Sequence, residues 1–145
     1  MIEIKKDKIF ADGIERHIDN VNLINFSRNY LSFSGRIGDC VKYDKTIEVF
    51  YQELTQKGLT GFVLLNNDIV NLNNIVSVDI EFYQYAGISI HKTSKENAEL
   101  YHLNFVCKNG KKETIPFRTY KEAEECFKAV NKALKNIKNE EEKIL

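Results

Sequence analysis

Apolar and polar residues alternate most clearly between positions 101 and 117. Tyr101, Leu103, Phe105 and Cys107 take one set of alternate positions, and His102, Asn104 and Lys108 the other, with Val106 the one break. That period of two predicts a half-buried strand. Asn109-Gly110 follows, and Ile115 and Phe117 resume the apolar set. A two-residue loop at Asn109-Gly110 would set Cys107 opposite Lys112 and Asn104 opposite Ile115, splitting the core face. A three-residue loop over 108–110, with Gly110 left-handed, pairs Leu103 with Ile115 and Tyr101 with Phe117. One residue of slip turns a whole strand over, so the pattern selects the three-residue loop. Thr119 then caps a helix, with Glu122 as the return arm of a capping box. Ala123, Cys126, Phe127, Val130, Leu134 and Ile137 share one face of that helix.

The same reading places further elements upstream. Residues 2–18 predict a hairpin turning at Ala11-Asp12-Gly13, and 21–26 and 30–33 predict short strands. From Asp44 the spacing of Ile47, Phe50, Tyr51 and Leu54 becomes helical, with Gly58 at the C-terminal cap. Phe62–Leu65 and Ile69–Leu72 predict strands about a turn at Asn66-Asn67-Asp68. The longest strand runs from Ile75 to about Tyr83, with Val76, Val78, Ile80 and Phe82 on one side and Ser77, Asp79 and Glu81 on the other. Residues 18–26 resemble 72–80, an echo that suggests two related β-then-α halves.

These elements predict an α+β fold: a mostly antiparallel, twisted sheet of seven to nine short strands with two helices, the longer C-terminal one packed on the sheet. Residues 1–138 are expected to form a single domain, and the charged run 139–145 a tail. A run of strands ending in one long capped helix is loosely similar in topology to pleckstrin-homology-like domains. A likeness of topology leaves function open.

Composition narrows the classes of function. With 21 basic and 21 acidic residues the formal net charge is zero, which gives no field for non-specific nucleic-acid binding. The N-terminal Met-Ile-Glu-Ile-Lys-Lys-Asp carries charge where a signal peptide needs an apolar stretch, and no apolar run reaches membrane-spanning length. A cytoplasmic protein without membrane contact is expected. Cys40, Cys107 and Cys126 form no CxxC pair and read as free thiols. Abundant Lys, Asn and Ile suit an AT-rich genome, that of a low-GC bacterium or its phage.

Candidate chemistry is sparse. Glu15, His17 and Asp19 would share a strand face, but no second histidine lies at ligand spacing, so no metal or other cofactor is expected. A Cys40–His17 nucleophile pair has no local signature. Gly35-Arg36-Ile37-Gly38 has the form of a GxxG loop, yet a strand precedes it where a nucleic-acid clamp needs a helix. His102 falls on the polar face of its strand and reads as simply exposed. His91, Lys92, Ser94 and Lys95 could hold a phosphate or acidic group, although Glu96 and Glu99 weaken the field. Tyr83 and Tyr85 end the longest strand on the face opposite Phe82, the composition of a contact patch.

No catalytic residues are assigned. The expected function is a non-catalytic interaction module with a protein partner or a second copy of itself, such as a phage or mobile-element accessory protein acting on a host protein. The alternative is a small-ligand or nucleotide binder using the Lys92–Lys95 loop.

Overall fold

The structure, a computed structural model, describes residues 2–35 and 39–144, with side chains to Glu140. Arg36, Ile37 and Gly38, the middle of the GxxG stretch, lie outside the described residues. The fold is α+β: among the described residues, 12 strands form three antiparallel sheets, with two α-helices. The strand count exceeds the seven to nine expected because turns such as Lys6-Asp7 divide runs too short to show a period of their own. The chain divides into two compact units, residues 1–74 and 75–145.

In the first unit, β1 (Glu3–Lys5), β2 (Lys8–Ala11) and β3 (Ile14–His17) form a meander. Its second turn is Asp12-Gly13, with φ of 52° and 74°. Positive φ at both central residues matches the right-handed twist of the flanking strands. A five-stranded sheet then runs in the order β6 (Asp39–Lys42), β5 (Tyr30–Gly35), β4 (Val21–Ser27), β8 (Asp68–Asn71), β7 (Phe62–Leu65). Between β6 and β7 lies α1 (Ile47–Gln56), whose Thr46 hydroxyl accepts from the Val49 amide at 3.2 Å. It ends at Gly58, where φ is 82°. Ile9, Ile24, Leu31, Phe50, Leu54 and Ile69 form the centre of this unit's core.

Two 3₁₀ turns, Ile18–Asn20 and Leu72–Asn74, give the internal echo a structural counterpart: each follows a tight hairpin and leads into a strand. Asn71, fully buried, donates from Nδ2 to the Ile18 and Val21 carbonyls at 3.2 and 2.9 Å. Asn74 likewise donates to the Asp19 carbonyl at 2.7 Å. These asparagine side chains thus tie the two turn segments together through backbone carbonyls. Gly35 belongs to β5, and a Cβ there would collide with the Asn20 carbonyl oxygen. Close backbone approach explains that glycine without a phosphate clamp.

The second unit is a four-stranded antiparallel sheet in the order β10 (Ser89–Lys92), β9 (Ile75–Ala86), β11 (Leu100–Cys107), β12 (Lys112–Phe117), with α2 (Tyr120–Ile144) packed on one face. The β11–β12 connection is the three-residue loop 108–110, closed by the Cys107 amide donating to the Lys111 carbonyl at 2.9 Å, with Leu103 opposite Ile115, Tyr101 opposite Phe117 and Gly110 at φ 85°. The Thr119 hydroxyl accepts from the Glu122 amide at 3.3 Å, capping α2. On the helix stripe Ala123, Val130 and Leu134 are buried, whereas Cys126, Phe127 and Ile137 are half-buried. The helix runs on through 139–144, the segment whose charge reads as a tail.

The long strand departs from its pattern at one point. Val106 pairs with Ser77 but Cys107 with Ile75, a bulge that leaves Val76 over. Ile75 is therefore buried on the core face, and Val76, expected there, is 45% exposed. Beyond the bulge Val78, Ile80 and Phe82 do share the face of Phe105, Leu103 and Tyr101.

Candidate functional site

The sheet register builds the site. Residues paired across an antiparallel ladder project to the same face, and diagonal neighbours come within reach of long side chains. On the face away from α2, Glu81 stands opposite His102, Tyr83 opposite both Leu100 and Lys92, and Tyr85 opposite Ile90. Alternation along the longest strand thus places Tyr83 and Tyr85 where the sequence put them.

Glu81 is the hub of this face, a role the sequence reading missed. Its Oε2 lies 2.6 Å from Lys92 Nζ and accepts from the Tyr83 hydroxyl at 3.3 Å, while its Oε1 accepts from Asn104 Nδ2. Asn104 in turn accepts from the Thr114 hydroxyl at 2.8 Å. The Lys92 hydrogen bond holds the Glu81 carboxyl below the usual carboxylate range, and Glu81 raises the Lys92 ammonium in return. Burial, followed by the Glu81 charge, pushes the Tyr83 phenol up.

His102 is not simply exposed as its polar position implied. It is half-buried beneath Tyr83, with ring centroids 4.5 Å apart, and burial lowers its pKa. Nothing local in the sequence announces this contact. It depends on the register between β9 and β11, which the intervening β10 and loop conceal.

The remaining candidates separate. Lys95 places its ammonium 4.1 Å from the Tyr120 ring centroid, beside Phe82 and Tyr101, which belong to the helix-facing side. Lys92 points to the opposite face, so the two lysines do not converge on one anion. His91 pairs with Gln84, is exposed and reaches Ser89 Oγ at 3.4 Å. Ser94 sits at the cap of the 3₁₀ turn Lys95–Asn97 without a side-chain cap bond. The loop itself is tied to β9: the Thr93 amide donates to the Phe82 carbonyl at 3.0 Å and the Glu99 amide to the Tyr83 carbonyl at 2.9 Å.

The other sequence candidates resolve into local pairs. His17 lies 3.6 Å from Glu15, which is itself 2.7 Å from Lys8, and Asp19 has left the strand for a 3₁₀ turn. Between them Arg16 turns inward, is buried, and donates from Nε to Asp39 at 2.7 Å. Cys107 is buried, Cys126 half-buried and Cys40 exposed, all free thiols. Among the described residues no group of three His, Cys, Asp or Glu is arranged to hold a metal ion, and no helix is long and apolar enough to cross a membrane.

What remains on the outer face is a neutralised polar centre with an apolar end. Tyr85 is 53% exposed, and its cross-strand partner Ile90 is 39% exposed. Ile88, in the turn between their strands, is fully exposed. β10 is the last strand of its sheet, and all four of its residues are exposed. Comparison with known proteins finds no matching family model, no matching curated sequence and no matching solved structure. No match supports the expected likeness to pleckstrin-homology-like domains, and it contributes nothing to the function.

Proposed function

We propose that the chain is a non-catalytic protein-interaction module whose partner docks on the β9–β10 end of the outer sheet face. The observation that carries this is the Tyr85–Ile90 pair, two large side chains side by side and exposed next to an ordered polar network. Glu81 and Lys92 neutralise each other, so affinity comes from desolvating Tyr85, Ile90 and Ile88, aromatic and apolar anchors of the kind that dominate interfaces. Tyr83 contributes by holding the network rather than as a free anchor, because its ring lies on His102 and its hydroxyl on Glu81. The setting we propose is a phage or mobile-element accessory protein acting on a host protein, in keeping with the Lys-, Asn- and Ile-rich composition.

The test is partner capture from host extract by the wild type, by Tyr85→Ala/Ile90→Ala and by Lys92→Ala/Lys95→Ala. The tyrosine–isoleucine variant is expected to lose the partner at an unchanged melting temperature, and the lysine variant to keep it. The reverse pattern would replace this reading with a ligand bound at the Lys92–Lys95 loop.

A further inference from the structure

The sheet of the second unit has two edges, β10 and β12, and they are built differently. Along an antiparallel ladder, pairs that exchange hydrogen bonds alternate with pairs whose amides and carbonyls point away from each other. Beside β12 the Cys107 amide donates to the Lys111 carbonyl, which fixes the alternation. Lys112, Thr114 and Pro116 then turn their main chain to the open side. Pro116 has no amide to offer there, so that edge is guarded.

On β10 the Thr93 amide donates to the Phe82 carbonyl at 3.0 Å. Alternation makes His91–Gln84 a hydrogen-bonded pair and leaves Ile90–Tyr85 and Lys92–Tyr83 as open ones. Glu99 shows the same from the far side of β9: its amide donates to the Tyr83 carbonyl at 2.9 Å, and its Oε1 accepts from the Tyr85 amide at 3.3 Å. The amides and carbonyls of Ile90 and Lys92 therefore face the free edge, where among the described residues no strand pairs with them. β10 has no proline, and its register with β9 runs without a bulge. A lysine often guards such an edge by its charge, but Lys92 lies 2.6 Å from Glu81 Oε2 and is neutralised within its own sheet.

The two outward residues also select the occupant. Each offers one donor and one acceptor, and a second copy of the chain presents the same groups. Set antiparallel about a twofold axis at His91, Ile90 faces the second copy's Lys92, and Lys92 its Ile90. Two such pairs, each exchanging two main-chain hydrogen bonds, satisfy every outward group on both strands. An axis at Ile90 would instead set Lys92 against Ile88, which lies in the turn before β10. In the register centred on His91 the lysines do not meet, and each lysine stem lies along the exposed Ile90 of the other copy.

We propose that the chain forms a twofold dimer through β10, joining two four-stranded sheets into one. The edge is distinct from the outer face, so the dimer does not depend on a host partner docking there.

Sedimentation velocity on the purified full chain, at concentrations up to about 1 mM, tests this. A reversible monomer–dimer equilibrium is expected with no larger species, since pairing consumes β10 and Pro116 guards the other edge. Ile90→Lys sets an ammonium beside the second copy's Lys92 twice per dimer and should weaken association about tenfold. Ile90 is exposed in the single chain, so the variant should keep the melting temperature of the monomer. The register has its own test in a Cys40→Ser background, which removes the exposed thiol. There His91→Cys meets its counterpart across the axis, and mild oxidation should link two chains, whereas Ser89→Cys faces Thr93 and should not. A monomer at every concentration, association unchanged in Ile90→Lys, open-ended assembly, or linkage through Ser89→Cys as readily as through His91→Cys would each overturn the proposal.

Discussion

Gly110 keeps the β11–β12 hairpin in register because the third loop residue needs a left-handed backbone that side chains resist. Nothing crowds the space where its Cβ would stand, so any penalty for substitution is conformational. Gly110→Val is therefore expected to cost about 1–2 kcal/mol or more, since a β-branched residue fits that region worst. Asn109→Ala removes the bond from the Lys111 amide to Asn109 Oδ1, an exposed contact worth about 1 kcal/mol or less. Urea denaturation of both variants checks the order; equal, small effects would contradict it. Single residues of this kind were legible because turn chemistry is local. The partly buried Arg16–Asp39 pair and the Asn71 bonds were not, because each joins residues far apart in sequence.

At the scale of elements, α2 holds the second unit through a stripe narrower than its apolar spacing implies. Val130 and Leu134 are buried, but Phe127 is only half so. Leu134→Ala is thus expected to cost about 2–5 kcal/mol as a cavity in the core, and Phe127→Ala less, although the larger side chain is removed. Thermal melts of the two variants rank them, and a greater loss from Phe127→Ala would mean the stripe is centred differently. Both helices, the Thr119 cap and the hairpin register could be read from local pattern, since each is specified within about twenty residues, whereas the Thr46 cap of α1 was not read. The bulge at Val76 could not. It is set by the pairing of β9 with β11, and Val76 continues the alternation without a break.

For the whole molecule, zero net charge leaves stability to particular groups, and their shifts set its pH dependence. Glu81 and His102 both have lowered pKa values in the fold. For each, the unfolded chain takes up its proton first as pH falls, so stability present at neutral pH is lost below the ordinary values of 6.5 for His102 and 4.5 for Glu81. Burial pushes the Cys107 thiol up to about 11, so the unfolded chain ionises first on that side and stability falls between pH 9 and about 11. The melting temperature should therefore peak near neutrality, with His102→Asn flattening the first acid step and Cys107→Val the alkaline one. Unchanged pH profiles in both variants would show that these groups are more open to water than their burial indicates.

The proposed contact face was half legible. Alternation placed Tyr83 and Tyr85 together, but only register shows that Tyr83 is engaged with Glu81 and His102 while Tyr85 stands free beside Ile90. The most direct test of the binding face is photo-crosslinking in the native host, with a benzophenone residue at Tyr85, at Ile90, or at Tyr30 on β5, a tyrosine 46% exposed in the first unit. Covalent adducts to one protein from positions 85 and 90, and none from 30, are the predicted result. Adducts from Tyr30 alone, or none from 85 and 90, would contradict a partner docked on the β9–β10 end of the sheet.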